Sequence, residues 1–381
     1  MAVVGVVSLN LLGPGIPSSR RIGSTQLGLN TCLGRPFSFS SASGLLKMES
    51  CFGYGGQKQE GSRGRSHGKL QAALSQSVDS YRRVGAPSLE NVDVSKLVQC
   101  LEEASAKGRE VIMEAVDKPR SIDYKGVTDL VTDTDRKSEE AILEVVRKYF
   151  PDHLILGEEG GVSGDPSSEY LWCVDPLDGT TNFAQNYPCF AVSIAVLFKG
   201  RPLAASVVEF AGGPFIWDTR TFIASSGGGA FCNGRKISCS QRDQVERSLF
   251  VTGFGYEHDE AWATNIELFK EFTDKSRGVR RLGAAAVDMC HVALGIAEAY
   301  WEYRLKPWDM AAGVLIVEEA GGKVTCMDGS DFSVFERSVL VSNGILHDKL
   351  LERIAPPTKK LIQDGFDFSQ WYKPKGYISE V

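Results

Sequence analysis

Apolar positions first recur at helical spacing from Val94 to Ala115. Val94, Leu97, Val98, Leu101, Ala104, Gly108, Val111, Ile112 and Ala115 fall on one stripe, and Pro119 ends it. The spacing predicts a second helix from about Asp135 to Tyr149, capped by Thr134 or Asp133. Short β-like runs follow at Leu154–Gly157, Tyr170–Val174, Phe190–Phe198, Leu203–Phe210 and Phe215–Thr219. Helical periodicity returns at Trp262–Lys275 and Ala284–Leu294, and again from Trp308 to the Gly321-Gly322 stop. Strand-like Ala297–Tyr303 and Val339–Ser342 lie among them. Strands in succession, then helices mixed with strands, indicate a layered α/β or α+β body. No internal repeat and no long interdomain linker interrupts it. Gly227-Gly228-Gly229 and Asn233-Gly234 read as hairpin turns.

The pattern changes upstream. Residues 1–80 lack this periodicity, are rich in Ser and Gly, and carry no acid before Glu49. They hold eight Lys or Arg against Glu49, Glu60 and Asp79, a balance of +5, which leaves −11 on the remainder of a chain of net charge −6. This matches an organelle transit peptide, with composition favouring a plastid. A secretory signal fits less well: a basic start is missing, and Pro14 and Pro17 stand where cleavage would fall. A plain disordered tail is the third possibility. We therefore expect a chloroplast transit arm over 1–80, a catalytic domain over 91–355 and a tail over 356–381, the mature chain residing in the stroma.

Composition narrows the function. Hydrophobic residues make up 43% of 381, a globular fraction. The most apolar stretch, Ala191–Phe198, is far too short to cross a membrane. Nine scattered cysteines without a Cys-x-x-Cys pair argue against a disulfide framework or a cysteine zinc site. A body this acidic is not expected to bind nucleic acid, and it is suited to hold cations.

The candidate chemistry lies in Trp172-Cys-Val-Asp175-Pro-Leu-Asp178-Gly-Thr180-Thr181-Asn182-Phe. An apolar strand ends at Asp175, Pro176 interrupts ladder pairing, and Gly179 permits a tight turn. Two carboxylates three residues apart can converge there, and the amides of Gly179 and Thr180 suit an anion such as phosphate. Carboxylates repel an anion unless a divalent cation bridges them, and oxygen-only ligands indicate Mg²⁺. Glu158-Glu159 after Leu156, Asp133 and Asp135 at a helix start, and Asp309 after Pro307 add acids at the ends of other elements. Taken singly, each is an ordinary cap or solvated turn. Together they fit a multi-metal phosphoesterase. His153 and His291 read as structural, Cys189 and Cys239 as small buried residues, and Ser225-Ser226 lacks a partner base.

Gly157-Glu158-Glu159, Asp175-Pro-Leu-Asp178-Gly-Thr-Thr-Asn-Phe and Trp308-Asp309-Met-Ala-Ala-Gly resemble the inositol monophosphatase family, in particular its plant chloroplastic members. Asp129-Leu-Val-Thr-Asp-Thr-Asp135, Gly229-Ala-Phe-Cys-Asn-Gly234, Gly283-Ala-Ala-Ala-Val287 and Glu319-Ala-Gly-Gly322 support it, and the likeness covers roughly Val94 to Ile354. The resemblance implies a layered α-β-α-β-α sandwich of the inositol monophosphatase and fructose-bisphosphatase type, often dimeric. It implies that Glu158, Asp175 and the Leu177 carbonyl hold one Mg²⁺. A second shares Asp175 and takes Asp178 and Asp309, and Glu158 assists a third, looser ion. Asp135 and Thr180 would orient the attacking water, and the Gly179 and Thr180 amides would hold the phosphate. Ala285, Glu302 and Asp309 would contact the substrate, and Lys125 would lie on a mobile loop. Arg304-Leu-Lys306 beside Glu302 stands where relatives vary, which leaves the alcohol moiety open.

The expected reaction is hydrolysis of myo-inositol monophosphate. Histidinol-phosphate and adenosine bisphosphate phosphatases tend to carry Lys after the first Thr, and fructose-bisphosphatases Ser-Ser-Asn, whereas this chain has Thr180-Thr181-Asn182. Phosphatases of those other small esters are the runners-up. A plastid scaffold with lost activity is the reading from a different class. Against it stands the cost of keeping so many like charges together.

Overall fold

Helix α1, Val94–Ala115, buries Leu97, Cys100, Leu101, Ala104, Gly108 and Ile112, the stripe expected of it. The computed structural model describes residues 81–87, 92–119, 121–124 and 130–381. The expected transit arm and Lys125 lie outside these. Strands β1, Ile122–Tyr124, and β2, Leu130–Thr132, pair antiparallel and lead into α2, Asp133–Tyr149. The cap of α2 is Thr132, rather than Thr134 or Asp133. Its hydroxyl accepts from the Thr134 N–H, and Asp135 reaches back to the Thr132 N–H. Asp133 is one residue too late and pairs with Lys137 a turn ahead at 2.7 Å.

The larger sheet has eight strands, β3 Leu154–Gly157, β4 Gly161–Ser163, β5 Tyr170–Asp178, β6 Phe190–Phe198, β7 Arg201–Ala211, β8 Asp218–Ser225, β9 Gly229–Cys232 and β10 Arg235–Lys236. Their order is β10-β9-β8-β7-β6-β5-β3-β4, with β3 and β5 the parallel pair. The strand expected at Phe215–Thr219 begins instead at Asp218. Gly212, Gly213 and Pro214 make a turn closed by the Ile216 N–H on the Gly213 carbonyl, and Phe215 takes φ 71° in it. Both glycine-containing hairpins form as expected, Asn233 and Gly234 having φ of 48° and 73°.

Short helix α3, Thr180–Ala184, follows β5, and α4, Glu260–Lys275, follows β11, Leu249–Thr252. Strand β12, Gly278–Arg280, precedes α5, Ala285–Ala293. Then come β13 Ala299–Tyr303, α6 Pro307–Glu319, β14 Lys323–Thr325, β15 Ser338–Ser342 and α7 His347–Gln363. The five strands β11 to β15 form a second sheet, ordered β12-β11-β13-β15-β14.

Period-two alternation explains the layers. On β6, Val192, Ile194 and Val196 pack with α1 and α2, while Ala191, Ala195 and Leu197 face α5 and α6. On β13, Tyr300 joins that same central layer, while Ala299, Trp301 and Tyr303 face Phe272 of α4 and Ile354 of α7. The result is the α-β-α-β-α order: α1/α2, eight strands, α5/α6, five strands, α4/α7.

The domain end expected at 355 falls inside α7, which continues through Pro356 and Pro357. Proline removes the amide bonds to the carbonyls of Glu352 and Arg353, but both residues are exposed and water can serve instead. Buried Leu350, Ile354, Thr358 and Leu361 keep the helix docked. Farther on, Tyr377 is buried, accepts from the Gly200 N–H and donates to the Glu169 carbonyl. Among the described residues no helix is long and apolar enough to cross a membrane.

Candidate active site

The site begins where β5 loses its partner. Register between β5 and β6 shifts between Asp175 and Asp178, because Pro176 has no N–H to give the ladder. The Asp175 carboxylate turns back to accept from the Leu177 N–H at 3.0 Å. Ser138 of α2 donates to the Pro176 carbonyl at 3.0 Å, tying the irregular segment to the helix layer.

Gly179 then takes φ 86°, and a Cβ there would crowd the carbonyls of Cys189 and Gly283 at 3.0 and 3.2 Å. Only glycine suits both the conformation and the space. The turn aims the Thr180 hydroxyl at two acceptors, Oδ1 of Asp135 and the Leu177 carbonyl, each 3.0 Å away. Asn182 donates to the carbonyls of Cys189 and Leu282 at 2.7 Å, binding α3 to the loop before α5. At that helix start, the N–H groups of Ala285 and Ala286 donate to Asp178 at 3.1 and 2.7 Å.

Asp309 sits at the third position of α6, not at its cap. The cap is Lys306, whose N–H donates to Asp309 at 2.7 Å. Glu158 lies in the turn after β3, and the shape of that turn is set by Glu139, a residue the sequence reading did not single out. Both Glu139 oxygens accept, from the Glu159 N–H at 2.9 Å and the Gly160 N–H at 2.7 Å. A signal was available: Glu139 stands one helical turn after Asp135, on the same face of α2. Tyr300 and Asp288 were also missed. Tyr300 donates its hydroxyl to Glu302, and Asp288 is buried on α5 with Oδ1 unpaired.

Burial, followed by the charges of Glu158, Asp178 and Asp309, pushes Asp175 well above the usual carboxylate range. Burial likewise raises Asp178 and Asp309 to about 7, with Glu158 adding to both. Glu302 is also pushed up to about 7, and Asp135 to about 6, in each case mainly by burial. Glu158, Asp175, Asp178 and Asp309 thus feel one another, although they come from the turn after β3, from β5 and from α6. Among the described residues, no three or more His, Cys, Asp or Glu close into a finished ligand set. Asp175, Asp178 and Asp309 spend oxygens on backbone N–H groups instead. All side-chain donors are hard oxygens, and their mutual repulsion would be relieved by a divalent cation, so the residues fit Mg²⁺.

Other features stand apart from this cluster. His153 accepts from Trp172 Nε1 at 3.0 Å and stacks between Phe150 and Tyr170, while His291 lies 3.0 Å from Glu209. Both are structural, as expected. Cys189 and Cys239 are buried free thiols. Arg304 pairs with Asp259 and Glu257. A cavity of about 570 Å³ between α1 and strands β7 to β9 contains none of the predicted site residues.

Residues 93–363 match the model of the inositol monophosphatase family. The chain is 69% identical over 315 residues to the protein named Phosphatase IMPL1, chloroplastic, of Arabidopsis thaliana, covering 82% of this chain and 85% of that one. It is 38% identical to an inositol-1-monophosphatase of Synechocystis, covering 71% and 92%. The solved inositol monophosphatase of Anabaena superposes with TM-score 0.62 at 36% identity, covering 71% of this chain and all of that one. With the layered fold and the carboxylate cluster in place, these matches make the chain a phosphatase of the inositol monophosphatase family.

Proposed function

We propose that this phosphatase is Mg²⁺-dependent and hydrolyses myo-inositol monophosphate to inositol and phosphate. The observation that carries the reading is the convergence of Glu158, Asp175, Asp178 and Asp309 beside the Thr180–Asp135 hydrogen bond. Glu158, Asp175, Asp178, Asp309 and the Leu177 carbonyl would hold the ions. Bound Mg²⁺ would lower the pKa of the attacking water and offset charge on the phosphate and the leaving oxygen. Thr180 donates its hydroxyl hydrogen bond to Asp135 Oδ1, which leaves its lone pairs to accept from the water and orient it. The Gly179 and Thr180 N–H groups hold the phosphate. The Ala285 backbone, Glu302 and Asp309 contact substrate hydroxyls. Displacement by water needs no nucleophilic side chain, in keeping with structural roles for His153 and His291.

The test is phosphate release across inositol, histidinol, sugar and nucleotide phosphates, with chelator and with Mg²⁺. We expect inositol monophosphate to lead the panel, chelator to abolish the activity, and Li⁺ to inhibit. Full activity in excess EDTA overturns the metal mechanism. A blank panel turns the reading toward a scaffold. We further propose that the chain is a homodimer, as the resemblance to the family implies, and that it is imported into the chloroplast stroma through residues 1–80; the acid-poor arm and the chloroplastic relative support the import. A fluorescent fusion of 1–80 that stayed in the cytosol would contradict it.

A further inference from the structure

We propose that Tyr300 and Gly253 jointly fix the Glu302 carboxylate and thereby set selectivity for a leaving alcohol that carries a free hydroxyl. This rests on the reading of Glu302 as a substrate-hydroxyl contact. Tyr300 and Glu302 are two apart on β13, so their side chains leave the same face of the sheet. Both are buried, and the Tyr300 hydroxyl donates to Oε2 of Glu302. That bond occupies one carboxylate oxygen from the core side. It leaves Oε1 as the acceptor for an alcohol.

The second restraint comes from the neighbouring strand. Thr252 at the end of β11 pairs with Trp301, which puts Gly253 beside Glu302. A methyl group on Gly253 would land on Oε2, Cδ and Oε1 of Glu302, well inside any allowed separation. The backbone there has little room to yield. The Gly253 carbonyl accepts from Asn265 Nδ2 at 2.7 Å, and Asn265 Oδ1 accepts from Trp301 Nε1 at 2.7 Å, both residues being buried. Glu302 is therefore held by a hydrogen bond from its own strand and by space left open on the next one. An alcohol hydroxyl must meet this carboxylate within about 2.5–3.0 Å to bond it. A small displacement costs recognition of a polyol. An ester whose leaving group has no hydroxyl makes no use of the contact.

The experiment compares kcat/KM for myo-inositol monophosphate with that for p-nitrophenyl phosphate, in full-length enzyme at saturating Mg²⁺. Variants are Y300F, G253A and, as reference, E302Q; Tm is measured for each. Y300F should lower the inositol-to-aryl ratio about tenfold, the scale of one lost hydrogen bond to a charged group, and do so through KM. G253A should lower it at least as far. If Y300F fails to fold, G253A decides alone. A ratio lowered by E302Q but unmoved by Y300F and G253A overturns this proposal and spares the role of Glu302. A ratio that E302Q leaves unchanged overturns both. Equal losses on the two substrates mean that Tyr300 and Gly253 serve only the fold, and overturn the proposal as well.

Discussion

The hydroxyl of Thr180 lies 3.0 Å from Oδ1 of Asp135, across forty-five residues of sequence. Asp135 cannot swing away, because Oδ2 accepts from both the Thr132 N–H and the Thr132 hydroxyl. A helix cap therefore also positions the carboxylate that accepts the Thr180 hydrogen bond. Thr180→Ala removes the hydroxyl and keeps the peptide N–H. We expect kcat to fall about 10²–10⁴-fold, the usual range for general acid–base assistance, with KM and Mg²⁺ affinity little changed. Asp175→Asn should instead weaken apparent Mg²⁺ affinity. Steady-state kinetics with Mg²⁺ titration separate the two. Wild-type kinetics from two merely destabilised proteins would put the active site elsewhere.

Glu139 makes a second prediction. It touches no expected ligand, yet it shapes the turn that carries Glu158. Glu139→Gln puts an NH₂ group against one of two N–H donors and loosens that turn. Outer contacts of this kind typically cost about 10–100-fold in metal affinity or activity. Calorimetric Mg²⁺ binding should weaken by about tenfold, while saturating Mg²⁺ recovers most of kcat. Unchanged metal affinity would reduce Glu139 to a structural residue.

Periodicity made the layers legible, since β6 and β13 display in the sequence the alternation that faces them to two cores. The acids were legible too, because Asp175, Asp178 and Asp309 each stand within two residues of a proline near the end of an element. What supports them was not. Glu139 and Tyr300 sit inside regular elements, where an acid on an amphipathic helix or a tyrosine on an apolar strand looks ordinary. Their roles arise from contacts between segments distant in sequence. Phe215 misled for a local reason: a Gly-Gly-Pro turn carries an exposed aromatic that imitates the start of a strand. The helix running through Pro356 and Pro357 depends on tertiary burial that outweighs two strong breakers.

The start of the folded body lies upstream of the expected Asn91. Val84 and Ala86 are buried, and the Ala86 N–H donates to the Pro202 carbonyl at 2.8 Å. Glu318 accepts from the N–H groups of Val84 and Gly85, while Arg83 pairs with Glu318 and Glu319. These glutamates stand at the negative end of α6, where two acids need such partners. A chain beginning at Asn91 should lose about 2–4 kcal/mol of burial and hydrogen bonding relative to one beginning at Tyr81. At this size that is roughly 3–7 °C in Tm. Equal melting temperatures would show that the segment adds nothing.

The raised carboxylates make metal-free stability depend on pH with a definite sign. Asp178, Asp309 and Glu302 titrate near 7 in the fold and Asp135 near 6; unfolded, all titrate at about 4. Between these values the folded chain binds more protons than the unfolded one, so stability falls as pH rises. His153 and His347 oppose this, since burial lowers both from 6.5 to about 4 and they add stability over that interval. Above about 6.5 the histidine contribution is complete and only the carboxylates still titrate. In chelator, Tm should therefore drop between about pH 6.5 and pH 8. On the proposed reading Mg²⁺ would bind the ionised cluster and not the unfolded chain, so its stabilisation should grow over the same window. Asp175→Asn should flatten both trends by removing one of the mutually repelling charges. Thermal melts with EDTA and with Mg²⁺ at several pH values test this. A Tm that rose with pH in EDTA, or ignored Mg²⁺ at pH 8, would mean that these acids do not share a cation.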